Sequence, residues 1–269
     1  MEDRRLAAWS TTKFHHHLKI EENDEIAKEW ALTVMVNGEQ CATIVCTPDD
    51  IKELIIGFLA SEGIIRKLST IKDLKVDETK GFAYVELTFP VMLEERTERW
   101  IGSCCGKSRE FYLKQDARTA KTINSNMKLS IHKAYQLMEE FDSVSDIFSR
   151  TGGVHQAALA TNDGMIKAFI DIGRHNALDK LYGYILKNHI PLKDTCILFS
   201  GRISSEVVLK VSKIGIGLLL AKSAPTDLAL KLAHDLQITA VGFVRRDKLN
   251  IYTHEYRIYD DFQQGVYDL

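Results

Sequence analysis

The 269-residue chain predicts an α/β protein, with a sheet covered by helices in its C-terminal half and a smaller α+β portion before it. Two observations lead to this fold class. From Val154 onwards, short apolar segments alternate with helix-like segments, which favours parallel crossover connections. A hydrophobic fraction of 45% and a charged fraction of 27% are ordinary for a globular protein, so collagen-like and wholly disordered chains are excluded.

The chain begins with a polar, aperiodic segment, residues 1–25, which we expect to form a mobile or late-ordering arm. A hairpin is predicted next, because Asn37-Gly38 separates two strand-like runs, 30–36 and 41–46. We divide the chain into this arm, an N-terminal α+β portion over 26–129 and an α/β domain over 130–269.

A helix is expected to follow the hairpin, with Thr47 as its cap, Pro48 in its first turn and Gly63 at its end. Residues 82–89 alternate like a strand. Residues 94–126 are polar and contain a cysteine pair, and we expect a long, mobile loop with at most a short helix, since loops of this length tend to be functional or disordered.

In the C-terminal domain, Ser130 is expected to cap a helix that has one apolar face. The later elements are predicted as strands at 154–160, 165–170, 195–199, 217–221 and 238–244, helices at 174–187, 203–213 and 225–236, and an edge strand at 249–252.

Composition and charge restrict the function. The net charge is 35 − 37 = −2, which argues against a nucleic-acid-coating protein. No apolar run of 18 residues and no signal peptide is visible, so we expect a cytoplasmic protein that does not interact with membranes. Five cysteines form an odd, sparse set that is not typical of a disulfide framework.

Four successive predicted strands are each followed by cationic residues, and three of these junctions also open helices. Ligands of parallel α/β sheets bind beyond the carboxyl ends of the strands, and helix N-termini favour anions. The pattern therefore predicts a site for a phosphate-bearing ligand, although basic loops also arise by chance. The candidate residues are Arg174 and His175, then Arg202, then Lys222, then Arg245 to Lys248. For His175, ligand contact and structural capping are both open.

The cysteine pair of the predicted loop, Cys104 and Cys105, lies beside Lys107 and Arg109. Positive neighbours and solvent access favour the reactive thiolate. Sulfur transfer, a mixed disulfide and binding of a soft metal are all compatible with such thiols, and so is the absence of any special role.

Two other kinds of site, a P-loop and a zinc site, fit the sequence poorly. Gly106-Lys107-Ser108 ends like a P-loop, but Ile101 stands where the first glycine is needed, and no buried strand precedes it. A zinc site is not expected, because the chain has no C-x-x-C pair and His155 lacks the H-x-E pattern of zinc deaminases.

Seven segments together are highly specific: TPDDIKELIIGFLASEGII, SCCGKS, TGGVHQAALA, DIGRHNALDKLYG, SGRISSEVVLK, KSAPTDLALKLA and GFVRRDKLNIYT. Through them the chain resembles the FdhD family of formate dehydrogenase accessory sulfurtransferases, over residues 30–255. The resemblance implies a cytidine-deaminase-like three-layer α/β/α fold without the deaminase zinc site.

The resemblance also implies a function. It is that of a sulfurtransferase that takes persulfide sulfur from a cysteine desulfurase and delivers it to molybdenum cofactor before insertion into formate dehydrogenase. The cofactor form is bis(molybdopterin guanine dinucleotide), and a homodimer is expected. The cofactor site would include Phe243, Val244, Arg245, Arg246, Asp247 and Lys248.

The persulfide residue is ambiguous, because many family members have C-x-x-C-G-K where this chain has Ser103-Cys104-Cys105-Gly106-Lys107. An ungapped alignment retains Cys105, whereas a gapped one matches both cysteines. We predict Cys105 as the carrier and Cys104 as a helper. The alternatives are a binding chaperone that only holds the cofactor and a thiol redox enzyme, which the missing C-x-x-C disfavours.

Overall fold

The computed structural model describes residues 3–91, 100–101, 120–144 and 146–261. The α helices are α1 Ile51–Ser61, α2 Ile131–Ser143, α3 Asp146–Thr151, α4 Arg174–Lys187, α5 Ser205–Ile214 and α6 Asp227–Asp235. The strands are β1 Leu6–His15, β2 Leu18–Ala27, β3 Trp30–Val36, β4 Glu39–Cys46, β5 Ile71–Asp77, β6 Phe82–Leu87, β7 Trp100–Ile101, β8 Leu129–Ser130, β9 His155–Thr161, β10 Met165–Asp171, β11 Thr195–Phe199, β12 Leu218–Ala221, β13 Thr239–Gly242, β14 Asn250–Ile251 and β15 Ile258–Tyr259. Short 3₁₀ turns occupy Leu68–Thr70 and Glu255–Arg257.

The C-terminal half confirms the predicted α/β fold. Its six-stranded sheet has the order β10-β9-β11-β12-β13-β14. One face packs against α4, α5 and α6 through a cluster that includes Leu178, Val207 and Ala229, and the other face packs against α2 through Leu137 and Phe141. The sheet is therefore the middle of three layers.

The strand directions bring the predicted junctions to one end of this sheet. Strands β11, β12 and β13 run parallel to one another, as the predicted crossovers require. Strand β9 is antiparallel to both β10 and β11, so β10 runs in the same direction as β11. All four carboxyl ends consequently lie at one side, which we call the strand-end edge.

The N-terminal portion contains a five-stranded sheet with the order β5-β6-β3-β4-β7, and α1 packs on it. The hairpin of β3 and β4 is confirmed. Asn37 and Gly38 have φ angles of 50° and 89°, as a two-residue turn with positive φ at both positions requires. Strand β5, which the sequence did not predict, pairs with β6 at the edge of the sheet.

The N-terminal arm is more regular than its sequence indicated. Residues 6–27 form a long antiparallel hairpin, β1 with β2, and it exposes large apolar side chains such as Trp9 and Phe14. No residue of its two strands is buried, which is why its hydrophobic pattern is weak. An ion pair between Arg150 of α3 and Glu25 of β2 joins it to the rest of the chain.

The predicted cap of α1 is wrong. The helix begins at Ile51, its N-cap residue is Asp50 in the left-handed conformation, and no side chain of the described residues caps it. The Thr47 hydroxyl instead accepts a hydrogen bond from the Ile172 N–H at 3.0 Å. A contact across 125 residues thus replaces the local cap.

The boundaries of the other predicted helices agree with the sequence to within two residues, whereas the short helix α3, Asp146–Thr151, was not predicted. Hydroxyl caps are present at Ser130 of α2, Ser204 of α5 and Thr226 of α6. Helix α4 has the predicted bounds, and α1 ends before Gly63, whose φ is 68°.

Helices α1 and α4 cross with their backbones in direct contact. A Cβ atom at Gly57 would lie 1.7 Å from the Asp179 carbonyl oxygen, and one at Gly183 would lie 1.9 Å from the Glu53 carbonyl oxygen. Only glycine permits this approach. The crossing joins the N-terminal portion to the six-stranded sheet. It therefore holds in place the part of the fold that carries the site.

Candidate functional site

A buried ion pair lies beneath the strand-end edge, where β10 ends. Asp171 and Lys180 are 2.8 Å apart, and neither side chain has exposed surface. The other Asp171 contacts are the N–H groups of Thr47 and Gly173, at 3.1 and 2.8 Å, and the Asn176 amide, at 2.8 Å. We call these five residues the buried hub. Because both carboxylate oxygens are fully bonded, the charge is accommodated without water.

A second buried network lies one turn along α4. Asp179 pairs with Lys210 of α5 at 2.5 Å and accepts a hydrogen bond from the Ser61 hydroxyl at 2.6 Å. The Lys213 ammonium donates to the Ser61 carbonyl at 2.6 Å. Burial tends to lower the pKa of Lys210, but the Asp179 and Glu62 charges outweigh it, so the pKa is raised and the amine stays protonated. The segment from Asp171 to Gly183 therefore mainly joins layers of the fold.

The strand-end edge itself is more open. Arg202 is exposed, and with the part of the chain that the structure describes it makes no ion pair and no side-chain hydrogen bond. The same holds for the Lys248 ammonium. These two cations are available to an anionic ligand.

A cavity of about 720 Å³ lies between α2 and the segment that follows β13. Its α2 wall consists of Tyr135, Met138, Glu139, Asp142 and Ser143, and its opposite wall of Arg245, Arg246, Asp247 and Lys248. We call it the α2 cavity. Its volume is within the usual range for small-molecule sites, and its lining combines Met138 and the Tyr135 ring with charged side chains.

The two walls of the α2 cavity are electrostatically opposed. Lys222, which follows β12, pairs with Asp142 at 2.5 Å. Arg246 pairs with Glu139 at 3.2 Å, where both side chains are well exposed. The strand-end cations thus face carboxylates on α2.

The cationic segment is held close to the strand ends. The Arg245 guanidinium donates through Nη1 to the Lys222 carbonyl at 2.8 Å and to the Val244 carbonyl at 2.9 Å. Phe243 is exposed and has a φ of 54°, an uncommon backbone conformation for a bulky residue. Val244 has no exposed surface: its side chain is buried in the core beneath α2, its N–H donates to the Ala221 carbonyl, and its carbonyl accepts from Arg245.

Arg174 and His175 lie at the same edge but in the other layer, at the start of α4. Burial, together with the Lys210 and Arg174 charges, lowers the pKa of His175 to about 3, so this imidazole is neutral near pH 7. Its Nε2 is 3.2 Å from a Glu206 carboxylate oxygen, yet within the described part of the chain neither ring nitrogen has a hydrogen-bond partner, and the Arg174 Nε also lacks one there. Burial raises the pKa of Glu206.

The structure therefore places the predicted site residues around one edge but does not bring them all into one cavity. Of those the structure describes, Arg245 to Lys248 line the α2 cavity, and Lys222 contacts its wall. Arg174 and His175 lie in the α4 layer, and Arg202 is exposed outside the cavity lining.

The cysteines divide into two groups. Cys41, Cys46 and Cys196 are buried. Burial raises the pKa of the Cys46 and Cys196 thiols to about 12, so neither is a thiolate at neutral pH. Cys104 and Cys105, with Lys107 and Arg109, lie outside the described residues.

The predicted loop over 94–126 is described only in part. Trp100 and Ile101 form β7, a short strand rather than loop, which pairs in parallel with β4. At the far end, the backbone of Lys121 is bonded to the Ser212 hydroxyl.

Sequence reasoning missed the carboxylate wall. Glu139 and Asp142 are three residues apart on α2, beside the apolar stripe that the sequence did show. One feature of the sequence could have revealed this wall. The last turn of α2 contains acidic residues and no basic one, contrary to the preference of the helix dipole.

The comparisons with known proteins agree on one family. The family model described as "FdhD/NarQ family" matches residues 27–259. A sulfur carrier protein FdhD of Geobacillus kaustophilus is 54% identical over 248 residues, covering 91% of this chain and 94% of the relative. That of Bacillus licheniformis is 51% identical over 241 residues, covering 89% and 92%.

A solved structure supports the fold. It is the crystal structure of a protein assigned as a formate dehydrogenase accessory protein, from Desulfotalea psychrophila. The TM-score is 0.79 at 23% identity, and the match covers 94% of this chain and 99% of that one. Among the described residues, no helix is long and apolar enough to cross a membrane, and no group of three metal-ligating side chains could hold a metal ion.

Proposed function

The chain belongs to the FdhD/NarQ family, and from this premise we propose that it is a sulfur carrier for formate dehydrogenase. In this proposal it accepts persulfide sulfur from a cysteine desulfurase. It then delivers the sulfur to molybdenum cofactor, as bis(molybdopterin guanine dinucleotide), before the cofactor is inserted into formate dehydrogenase. The cofactor is cargo and not a resident group of the protein.

The observation that supports cofactor binding is the convergence of four cationic junctions on the strand-end edge. The cofactor contains two pyrophosphates, so it needs several cations within one region. Arg202 and Lys248 are uncommitted among the described residues, and Lys222 and Arg245 lie beside the α2 cavity. Charge-assisted bonds to phosphate are the strong ones, particularly from arginine.

The sulfur-accepting group is one of the two cysteines outside the described residues. Cys41, Cys46 and Cys196 are buried and poorly suited to attack a donor. The acceptor thiolate would attack the outer sulfur of the desulfurase persulfide. The sulfur–sulfur bond to the desulfurase cysteine breaks, and that cysteine leaves as a thiolate, so no external oxidant is needed. We propose Cys105 as the acceptor and Cys104 as its helper.

Intact-protein mass spectrometry after incubation with a cysteine desulfurase and cysteine tests the proposal. We expect the wild type to gain the mass of one sulfur atom, which cyanide or a thiol reductant removes. Cys105→Ala should gain none and should abolish formate dehydrogenase maturation. Cys104→Ala, the matched control in which the Cys105 thiol remains, should retain measurable activity. The reverse pattern would make Cys104 the carrier.

The competing function is a chaperone that only holds the cofactor. It is favoured by the same cationic edge, because charge alone does not distinguish holding from transfer. A chaperone would bind cofactor or GDP and support maturation, yet acquire no sulfur in the mass measurement. That outcome would replace the sulfur-carrier proposal.

The homodimer and the cytoplasmic location stay predictions. Analytical ultracentrifugation at micromolar concentration would show a dimer or contradict it. Fractionation of producing cells would test the location.

A further inference from the structure

We propose that Asp142, assisted by Glu139, is an internal counterion of the α2 cavity that selects ligands with a diphosphate over those with a monophosphate. The inference rests on the proposed function only in that the strand-end cations are taken as the phosphate-binding groups. It concerns residues on the opposite wall, which the function itself does not require.

The ion pairs show which cations are occupied before a ligand arrives. The Lys222 ammonium contacts the Asp142 carboxylate at 2.5 Å, and the Arg246 guanidinium contacts Glu139 at 3.2 Å. Arg245 is directed to backbone carbonyls through one of its nitrogens. A phosphate that approaches Lys222 therefore has to displace a carboxylate that already binds it.

The position of Asp142 on its helix is not explained by helix stability. It is in the last turn of α2, where the helix dipole disfavours negative charge, and no basic residue of that turn compensates it. Lys222 across the cavity is its compensating partner. The carboxylate is thus stabilised by the cation that a ligand would need.

Helix α2 is held in place, so Asp142 competes with a ligand phosphate for Lys222 through movement of its side chain alone. Ser130 caps the helix, and Leu137, Met138 and Phe141 are buried against the sheet. The Asp142 carboxylate can rotate towards solvent without movement of the backbone, since 47% of its side-chain surface is exposed.

The two carboxylates differ in the strength of the ion pairs that they form. Lys222 is 24% exposed, whereas Arg246 is 86% exposed and Glu139 is 63% exposed. Exposed pairs are weakened by water and salt, and partly covered pairs less so. Asp142 should therefore account for most of the competition.

The charge of the ligand decides how readily it displaces the Asp142 carboxylate from Lys222. A single phosphate gains one interaction at Lys222 and also experiences repulsion from Asp142, Glu139 and Asp247, which all line the cavity. A diphosphate can contact Lys222 and a second strand-end cation at once, so it displaces the counterion more readily. In the free protein the Asp142 carboxylate already occupies part of the binding site. This lowers the apparent affinity for every ligand.

Isothermal titration calorimetry with GDP, GMP and inorganic pyrophosphate tests the proposal on the full-length protein. Asp142→Asn should tighten GDP and pyrophosphate binding by about fivefold and should tighten GMP binding more, so that the preference for the diphosphate narrows. Glu139→Gln should change affinity by less than about twofold. Asp235→Asn makes the same charge change on α6, outside the cavity lining, and should leave all three affinities unchanged.

A double-mutant cycle identifies the direct pair. In a Lys222→Gln background, which itself should weaken GDP binding, Asp142→Asn should tighten GDP binding less than it does in the wild type, because the cation that it occupies is gone and only its direct repulsion of the ligand remains. Unchanged or weaker GDP binding in Asp142→Asn would overturn the proposal, as would equal gains in Asp235→Asn. If Arg245→Ala binds GDP as the wild type does, the strand-end site and the inference both fail. If Arg245→Ala weakens binding but Asp142→Asn does not tighten it, only the inference fails.

Discussion

The buried hub and the α2 cavity are both rich in charge, and they lie at the same end of the six-stranded sheet. In the hub, Asp171 and Lys180 have no exposed surface, and each has several further hydrogen-bond partners. At the cavity, Lys222 and Arg246 each have one carboxylate partner among the residues that the structure describes, and both remain accessible to water.

The difference separates two roles of charged motifs. A buried pair that is fully bonded holds elements in place, because removing either partner leaves an uncompensated charge without water. A partly exposed pair is exchangeable, since a ligand can replace one partner at small cost. The buried charges Asp171, Asp179 and Lys180 therefore support the edge, whereas the charged residues of GFVRRDK are accessible to a ligand.

The largest expected effect is in the hub. Lys180→Met leaves Asp171 buried without its cation, and should lower the free energy of unfolding by about 3–5 kcal/mol. Urea denaturation measures it. Lys187→Met, on the same helix, removes an exposed partner of Glu53 and should cost less than about 1 kcal/mol. Equal losses in the two variants would contradict the distinction between the regions.

The helix crossing provides the next test. Gly183→Ala should destabilise the protein by about 1–3 kcal/mol or more, because the added methyl group meets backbone that cannot move aside. The control is Gly153→Ala, whose added carbon would meet the Ala27 Cβ at 3.1 Å near the surface, and which should cost less. Thermal melting of both variants would show whether the crossing is as tight as the structure indicates.

The last effect depends on pH and concerns His175, which lies in the α4 layer near the hub residue Asn176. Its pKa is lowered in the folded protein, so its stabilising effect is complete above pH 6.5 and is lost as pH falls towards 3. The titration of this single group changes the free energy of unfolding by at most about 1.4 kcal/mol per pH unit. His155 has a pKa shift in the same direction, and Glu206 in the opposite one.

A variant isolates this contribution. The stability of His175→Gln should fall less steeply than that of the wild type between pH 6.5 and about 4, as urea midpoints at several pH values would show. Parallel curves would mean that His175 is accessible to protons in the folded state.

Local signals predicted most of the fold. Helix α4, the Asn37-Gly38 turn and the Ser130 cap follow from periodicity and from residue preferences that act within a few positions. The strand-end edge followed from the order of elements alone, because parallel strands present their carboxyl ends on one side.

What the sequence did not predict depends on long-range contacts. Thr47 is a good capping residue, yet its hydroxyl is engaged by Ile172. The carboxylate wall of α2 could not be paired with Lys222 without the fold, since 80 residues separate Asp142 from it. The N-terminal hairpin buries too little apolar surface to leave a strong pattern.

The central claim is that the strand-end cations bind a phosphate-bearing nucleotide while the hub only supports them. Calorimetric titration of GDP into the wild type and Arg245→Ala tests it most directly. We predict that the substitution weakens binding by about 1.5–3 kcal/mol, or about 10- to 150-fold. An affinity for GDP that is the same in both proteins would contradict the account.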